Sequence, residues 1–149
     1  MALNPFSIRV YGLLIAEDKL LVTDEYRMGR SMTKLPGGGL QFGEGIVDCV
    51  VREFEEELGI KITIDRHFYT TEFFQVSAFN PKQQIVSIYY VVNTEKPSSI
   101  NVKIERNSFD ETADGAQVFR WVKLSDLTIG EFTFPIDQKV ASMLIEQQN

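Results

Sequence analysis

Residues 38–60, GGLQFGEGIVDCVVREFEEELGI, hold the clearest helix of the chain and an unusual cluster of glutamates. From Ile46 to Leu58 the pattern predicts a helix. Gly45 stands at its N-cap, and Asp48 falls in the first turn, where the helix dipole favours negative charge. Gly59 is the expected C-terminal stop. Val47, Val51, Phe54 and Leu58 recur at helical spacing and are expected to form one apolar stripe. Ile46, Cys49 and Val50 fall on the other side, with the glutamates.

Glu53, Glu56 and Glu57 stand at i, i+3 and i+4, so their carboxylates share one face near the end of the helix. Stability alone argues against them there. Like charges at this spacing cost about 0.2–0.5 kcal/mol per pair, and carboxylates facing the negative end of the helix dipole cost about 0.3–1 kcal/mol more. A freely solvated acidic face is one reading. The other follows from the apolar residues around much of the circumference, which turn the acidic face partly toward the protein. Oxygen ligands converging there suit a hard cation such as Mg²⁺.

Outward from this helix, residues 6–16 are rich in β-branched, aromatic and aliphatic residues and predict a buried strand. Glu17-Asp18-Lys19 is a polar turn, and residues 20–25 continue as a second strand of a hairpin. Residues 26–34 are expected as a loop carrying Arg27, Arg30 and Lys34. Gly37-Gly38-Gly39 then suggests a backbone that takes unusual dihedrals or lets a ligand approach closely. Residues 61–75 and 84–93 are strand-like, a short strand is expected at 102–104 and another at 118–122. A closing helix is expected over 135–147, with Pro135 in its first turn. Strands around a central helix with a second helix at the end give a mixed α/β sandwich, read as a single domain over residues 1–149.

Composition narrows the class of partner. The chain has 149 residues, a net charge of −6 and one cysteine. An acidic surface is a poor platform for a nucleic-acid backbone, and a lone cysteine gives neither an internal disulfide nor a zinc cluster. The start, Met-Ala-Leu-Asn-Pro-Phe, lacks the basic and apolar regions of a leader, and no run reaches the roughly 20 apolar residues of a membrane span. The expectation is a cytoplasmic protein with neither nucleic-acid nor membrane partners.

The spacing of the quoted stretch carries more. Gly38, five residues, Glu44, seven residues, then Arg52-Glu53-Phe54-Glu55-Glu56-Glu57-Leu58-Gly59-Ile60 resembles the Nudix box, Gly-x5-Glu-x7-Arg-Glu-U-x-Glu-Glu-x-Gly-U, with U a bulky apolar residue. All seven fixed positions match, and Phe54 fills an apolar position more often aliphatic. The flanks are compatible, with Leu35-Pro36 before the box and Phe119-Arg120-Trp121-Val122 after it.

The resemblance implies an α/β/α sandwich with a mixed curved sheet, in which the box forms a loop–helix–loop. It implies Mg²⁺-dependent hydrolysis of a nucleoside diphosphate linked to another moiety, with Mn²⁺ as a substitute. Glu53, Glu56 and Glu57 are then the metal ligands, one of them serving the attacking water, and Gly37 or Gly38 offers a backbone carbonyl. Arg52 holds a box glutamate through its fixed bidentate geometry, with Glu44 as its partner or a secondary ligand. The substrate is a small nucleotide: a nucleotide sugar, a nucleoside triphosphate or a dinucleotide. Homodimers are common among similar proteins, so a homodimer is a further expectation.

Outside the box the pattern departs from several subfamilies. The proline of ADP-ribose hydrolases is absent, residues 74–77 reading Phe74-Gln75-Val76-Ser77, and Glu25-Tyr26-Arg27 bears only a faint likeness to nucleotide-sugar hydrolases. Asp110, Glu111 and Asp114 are candidates for a further acidic ligand, because a position often Glu is Gln117 here, and Glu44 and Glu111 are also read as substrate contacts. Arg27, Arg30 and Lys34 are read either as phosphate contacts or as a solvated loop. Phe73, Phe79, Phe132 and Phe134 are read as base-stacking rings or as core. Cys49 and His67 are read as structural. Against hydrolysis stands a non-catalytic nucleotide-sensing module, which the intact box disfavours. An isoprenoid diphosphate isomerase is more distant still.

Overall fold

Val10 and Leu14 point to one side of the first strand, Tyr11 and Leu13 to the other, and all four are buried. A strand apolar on both faces needs a covering layer on each. In the computed structural model, which describes residues 5–148, these layers are two helices. Residues 1–4, where the reading of a missing leader begins, lie outside the described residues.

The elements run β1 (Phe6–Ala16), β2 (Lys19–Arg27), β3 (Arg30–Lys34), β4 (Gly37–Gly39), α1 (Ile46–Leu58), β5 (Thr63–Thr70), β6 (Gln84–Asn93), β7 (Ala116–Lys123) and α2 (Pro135–Gln147). Glu17 and Asp18 both take positive φ in the two-residue turn between β1 and β2, as a tight hairpin requires. Those strands pair only beside their turn, at Ile15–Leu20 and Ala16–Lys19, and then diverge. The divergence splits the sheet. On one side β4 and β6 flank β1, antiparallel and parallel respectively, and β5 follows β6. On the other side β2 is flanked antiparallel by β3 and β7. The sheet stays open, and the fold is the α/β/α sandwich with a mixed sheet that the sequence implied.

Each helix covers its own core. Cys49, Val50 and Phe54 of α1 pack with Val10, Leu14, Leu21, Ile88, Val92 and Phe119. Ile136, Val140, Ala141 and Leu144 of α2 pack on Tyr11, Leu13, Leu20, Val22 and Tyr89 from the opposite face. Gly12 brings α1 close: a Cβ there would stand 2.6 Å from the Phe54 ring.

Four local expectations change. Of the expected stripe of α1, Phe54 is buried and Val51 and Leu58 pack half-buried on the core, but Val47 is 41% exposed, and Cys49 and Val50, expected on the glutamate side, are buried instead. Residues 30–34 form β3 rather than a loop, because Thr33 bonds Asp24 and Lys34 bonds Glu25 across the ladder. The strand expected at 61–75 ends at Thr70, and Val76 makes only an isolated bridge to Gln84. Residues 102–104 are not a strand: the Lys103 N–H reaches Phe119 O, but Ile104 is exposed and Arg106 is drawn away to Thr33 and Glu131. Among the described residues no helix is long and apolar enough to cross a membrane.

Candidate active site

Arg52 organises the acidic end of α1. Its Nε and Nη2 donate to the two carboxylate oxygens of Glu44 at 2.9 and 2.7 Å, a bidentate pair. Its Nη1 donates to Glu53 Oε1 and Glu56 Oε2, each at 3.0 Å, and its Nη2 also reaches the Gly39 carbonyl at 3.1 Å. One planar guanidinium therefore gathers three carboxylates and the glycine strand. The Arg52 bond and the backbone N–H of Gln41 hold the Glu44 carboxyl down at about 2. Gly38 passes directly over Glu53: a Cβ at that position would lie 2.4–2.6 Å from the Glu53 carboxylate.

Glu57, one turn on from Glu53, has a different setting. Its Oε2 is cut off from solvent and has no hydrogen-bond partner. Burial pushes its pKa up to about 7, against the lowering effect of a bond from Gln117, and the charges of Glu53 and Glu25 add to the rise. An unpartnered buried carboxylate oxygen is costly unless something cationic meets it.

The opposing wall comes from strand register. Glu25 of β2 lies directly across from Gln117 of β7, and Thr23 is paired with Lys34 of β3. Leu21 and Phe119 on this face lie beneath α1 in the apolar core. Beyond them on the same face, Thr23, Glu25 and Gln117 make it polar. Lys34 Nζ stands 3.3 Å from Glu25 Oε2. The Gln117 amide lies 3.3 Å from Glu25 Oε2 and 3.4 Å from Glu57 Oε1.

Nearby, a cavity of about 340 Å³ is lined by Arg9, Arg27 and Lys34, by Phe79 and Phe134, and by the buried Tyr89–Asp137 pair. Arg9 bonds Tyr11 at 2.6 Å; Tyr11, then Glu25 and Glu53, raise its pKa. Arg27 sits 4.5 Å over the Phe79 ring and Arg30 sits 5.6 Å over Phe134.

The structure thus brings Glu44, Arg52, Glu53 and Glu56 together, with Gly38 against Glu53 and Glu57 beside them. It places Lys34 and Arg27 in the cavity wall and Arg30 on a ring of that wall. Glu111 lies on an exposed loop and is not among the cavity-lining residues. Asp110 pairs with Lys103, and Asp114 accepts the Met28 N–H. Phe132 is core and Phe73 is partly exposed. The Gly38 carbonyl faces the buried Cys49 thiol at 3.8 Å. His67, on β5, contacts Thr70 and Tyr90 away from this site. Arg9 and Asp137 carried no sequence signal, since each lies in a stretch read only as strand or helix.

The NUDIX domain family matches residues 5–142, nearly the whole chain, and the chain belongs to that family. It is a hydrolase. An RNA pyrophosphohydrolase of Ruthia magnifica subsp. Calyptogena magnifica is 26% identical over 89% of this chain and 78% of that protein. Nucleoside diphosphate-linked moiety X motif 6 of Homo sapiens is 32% identical over 85% of this chain; the chain spans only 37% of that protein. In fold it resembles the MutT protein from Methanosarcina mazei Go1, with a TM-score of 0.69, 19% identity and coverage of 100% of this chain and 99% of that one.

Proposed function

We propose that this protein hydrolyses a phosphoanhydride bond in a small nucleotide, a nucleoside diphosphate linked to a further group, using Mg²⁺ or Mn²⁺. The observation that carries the reading is Glu57: a half-buried carboxylate whose Oε2 is cut off from solvent and unpartnered, one helical turn from Glu53. Among the described residues no three His, Cys, Asp or Glu side chains already form a cage for an ion. Arg52 now occupies Glu53 and Glu56, whereas Glu57 has an oxygen to offer, so the donor set fits a hard cation once Glu53 and Glu56 turn toward it. Glu53, Glu56 and Glu57 would hold the cation, with a backbone carbonyl of Gly37 or Gly38 beside Glu53.

A bound divalent cation would offset the charge of the phosphate oxygens and lower the pKa of a water molecule. The protein's own groups do the rest. Arg52, anchored by Glu44, keeps Glu53 and Glu56 gathered at the end of α1, so that a turn of each side chain would bring them to the cation. Arg9, Arg27 and Lys34 supply the cations that draw a diphosphate into an otherwise acidic protein, and Phe79 and Phe134 offer faces on which a base can stack. Arg30 steadies Phe134, and Glu111 stays a substrate contact only if its loop closes over the cavity. The same reading takes the chain as one domain acting in the cytoplasm.

The test is release of phosphate or nucleoside monophosphate from nucleotide sugars, dinucleoside polyphosphates and nucleoside triphosphates, with Mg²⁺, Mn²⁺ or EDTA. EDTA-sensitive turnover of one class is expected. Thermal stabilisation by nucleotides without turnover of any would overturn the reading and leave a sensing module.

A further inference from the structure

The position that the resemblance marks as often acidic is Gln117, and its amide has a defined job in the structure. Gln117 Nε2 points at three acceptors: Thr23 Oγ1 at 3.1 Å, Glu25 Oε2 at 3.3 Å and Glu57 Oε1 at 3.4 Å. The Thr23 hydroxyl donates to Val118 O, so toward Gln117 it accepts. Lys34 holds Glu25 from the other strand. The amide carries only two hydrogens for these acceptors, and it is the group that joins Glu25 to Glu57. It engages Oε1 of Glu57 and leaves Oε2 unpartnered.

Resting on the function proposed above, we propose that Gln117 is a positioning residue. Its amide fixes which oxygen of Glu57 is offered to the cation, and it ties Glu25 into the site as a further carboxylate. A glutamate at 117 would do the reverse, setting a third negative group against both neighbours until a cation arrives.

The experiment uses the full chain with Mn²⁺ as the probe. Binding is read by titration calorimetry without substrate, melting is read with and without Mn²⁺, and kcat and KM are measured in parallel. Gln117→Leu keeps the bulk and removes the donor. Its Mn²⁺ affinity and kcat should each fall about 10–100-fold, as loss of an orienting partner does, while KM stays within about twofold. A purely structural role would lower the melting temperature and leave affinity and kcat alone. Gln117→Glu should melt below wild type without cation and gain more from Mn²⁺ than wild type does. Wild-type affinity and kcat in a folded Gln117→Leu, or no extra Mn²⁺ gain in Gln117→Glu, would overturn the proposal. A wild-type chain that binds no Mn²⁺ would overturn both it and the function on which it rests.

Discussion

Asp24 and Glu57 are two carboxylates withdrawn from water in the same half of the molecule, and their surroundings differ. Asp24 is fully buried and accepts from Thr33 Oγ1, from Arg120 through both Nε and Nη2, and from the Asn107 N–H. Arg120 is in turn paired with Glu131, which also holds Arg106. The network closes on itself and fastens β2, β3, β7 and the loop before β7. Glu57 has one long contact from Gln117 and an oxygen with no partner. A buried charge that is fully paired serves the scaffold, and one left half-paired is held ready for something absent from the chain.

Glu57→Gln tests that distinction most sharply. With Mg²⁺ and substrate, turnover should fall about 10⁴-fold, more than 5 kcal/mol of transition-state stabilisation. The cation-free protein should become more stable. Because burial raises Glu57 to about 7, its penalty is absent below the ordinary carboxylate range, grows as pH rises, and is complete above about 7. At pH 8 the gain should be about 1–3 kcal/mol by urea denaturation. Arg120→Leu should behave oppositely: a loss of about 3–5 kcal/mol, as for any broken buried pair, with kcat per folded molecule unchanged.

Asp137 lies between these extremes. It is buried, accepts the Tyr89 hydroxyl at 2.6 Å and lines the cavity beside Arg9, Arg27 and Lys34. Burial pushes its pKa up to about 6. The folded state therefore keeps this proton to higher pH than the unfolded chain. The associated stability is fully present below about pH 4, is lost as pH rises to about 6, and stays lost above that. Asp137→Asn should match wild type at pH 4 and exceed it by up to about 3 kcal/mol at pH 7.5. A difference between the two proteins that does not change with pH would remove Asp137 from this class.

The sequence showed β1, α1 and α2 with their observed ends because their signals are local: an apolar run stopped by the polar Glu17-Asp18 turn for β1, Gly45 and Gly59 around α1, and Pro135 at the start of α2. It showed Glu53, Glu56 and Glu57 because their spacing puts them on one helical face, and Arg52 and Glu44 through the resemblance to the Nudix box. It missed β3, whose buried Thr33 and Lys34 are polar and acquire their reason only from Asp24 and Glu25 on the neighbouring strand. It placed Phe54 in the buried stripe of α1 but took Val47 in place of Cys49 and Val50, since a helix apolar over much of its circumference does not say locally which flank turns inward. The meeting of Glu25, Gln117 and Glu57 was not visible: 92 residues separate the first two, and only the register of β2 with β7 joins them.

The glycine strand allows the comparison between scaffold and site to be repeated at adjacent positions. A Cβ on Gly37 would lie 2.2 Å from the Val10 carbonyl, and Gly37 has φ +148. The obstacle there is backbone, so Gly37→Ala should damage folding. A Cβ on Gly38 meets instead the Glu53 carboxylate, the movable end of a side chain that Arg52 steadies with a single bond at 3.0 Å. Glu53 can yield, and Gly38→Ala should cost only about 1 kcal/mol of stability. The displaced carboxylate no longer lies where Arg52 and Glu57 require it, so kcat/KM should fall about 10–100-fold, the scale expected when an orienting contact is lost. Denaturation curves beside kinetics at saturating Mg²⁺ separate the two effects. Equal loss of stability in both variants, or full activity in Gly38→Ala, would show that this strand serves only as scaffold and that Glu53 does not depend on it for its position.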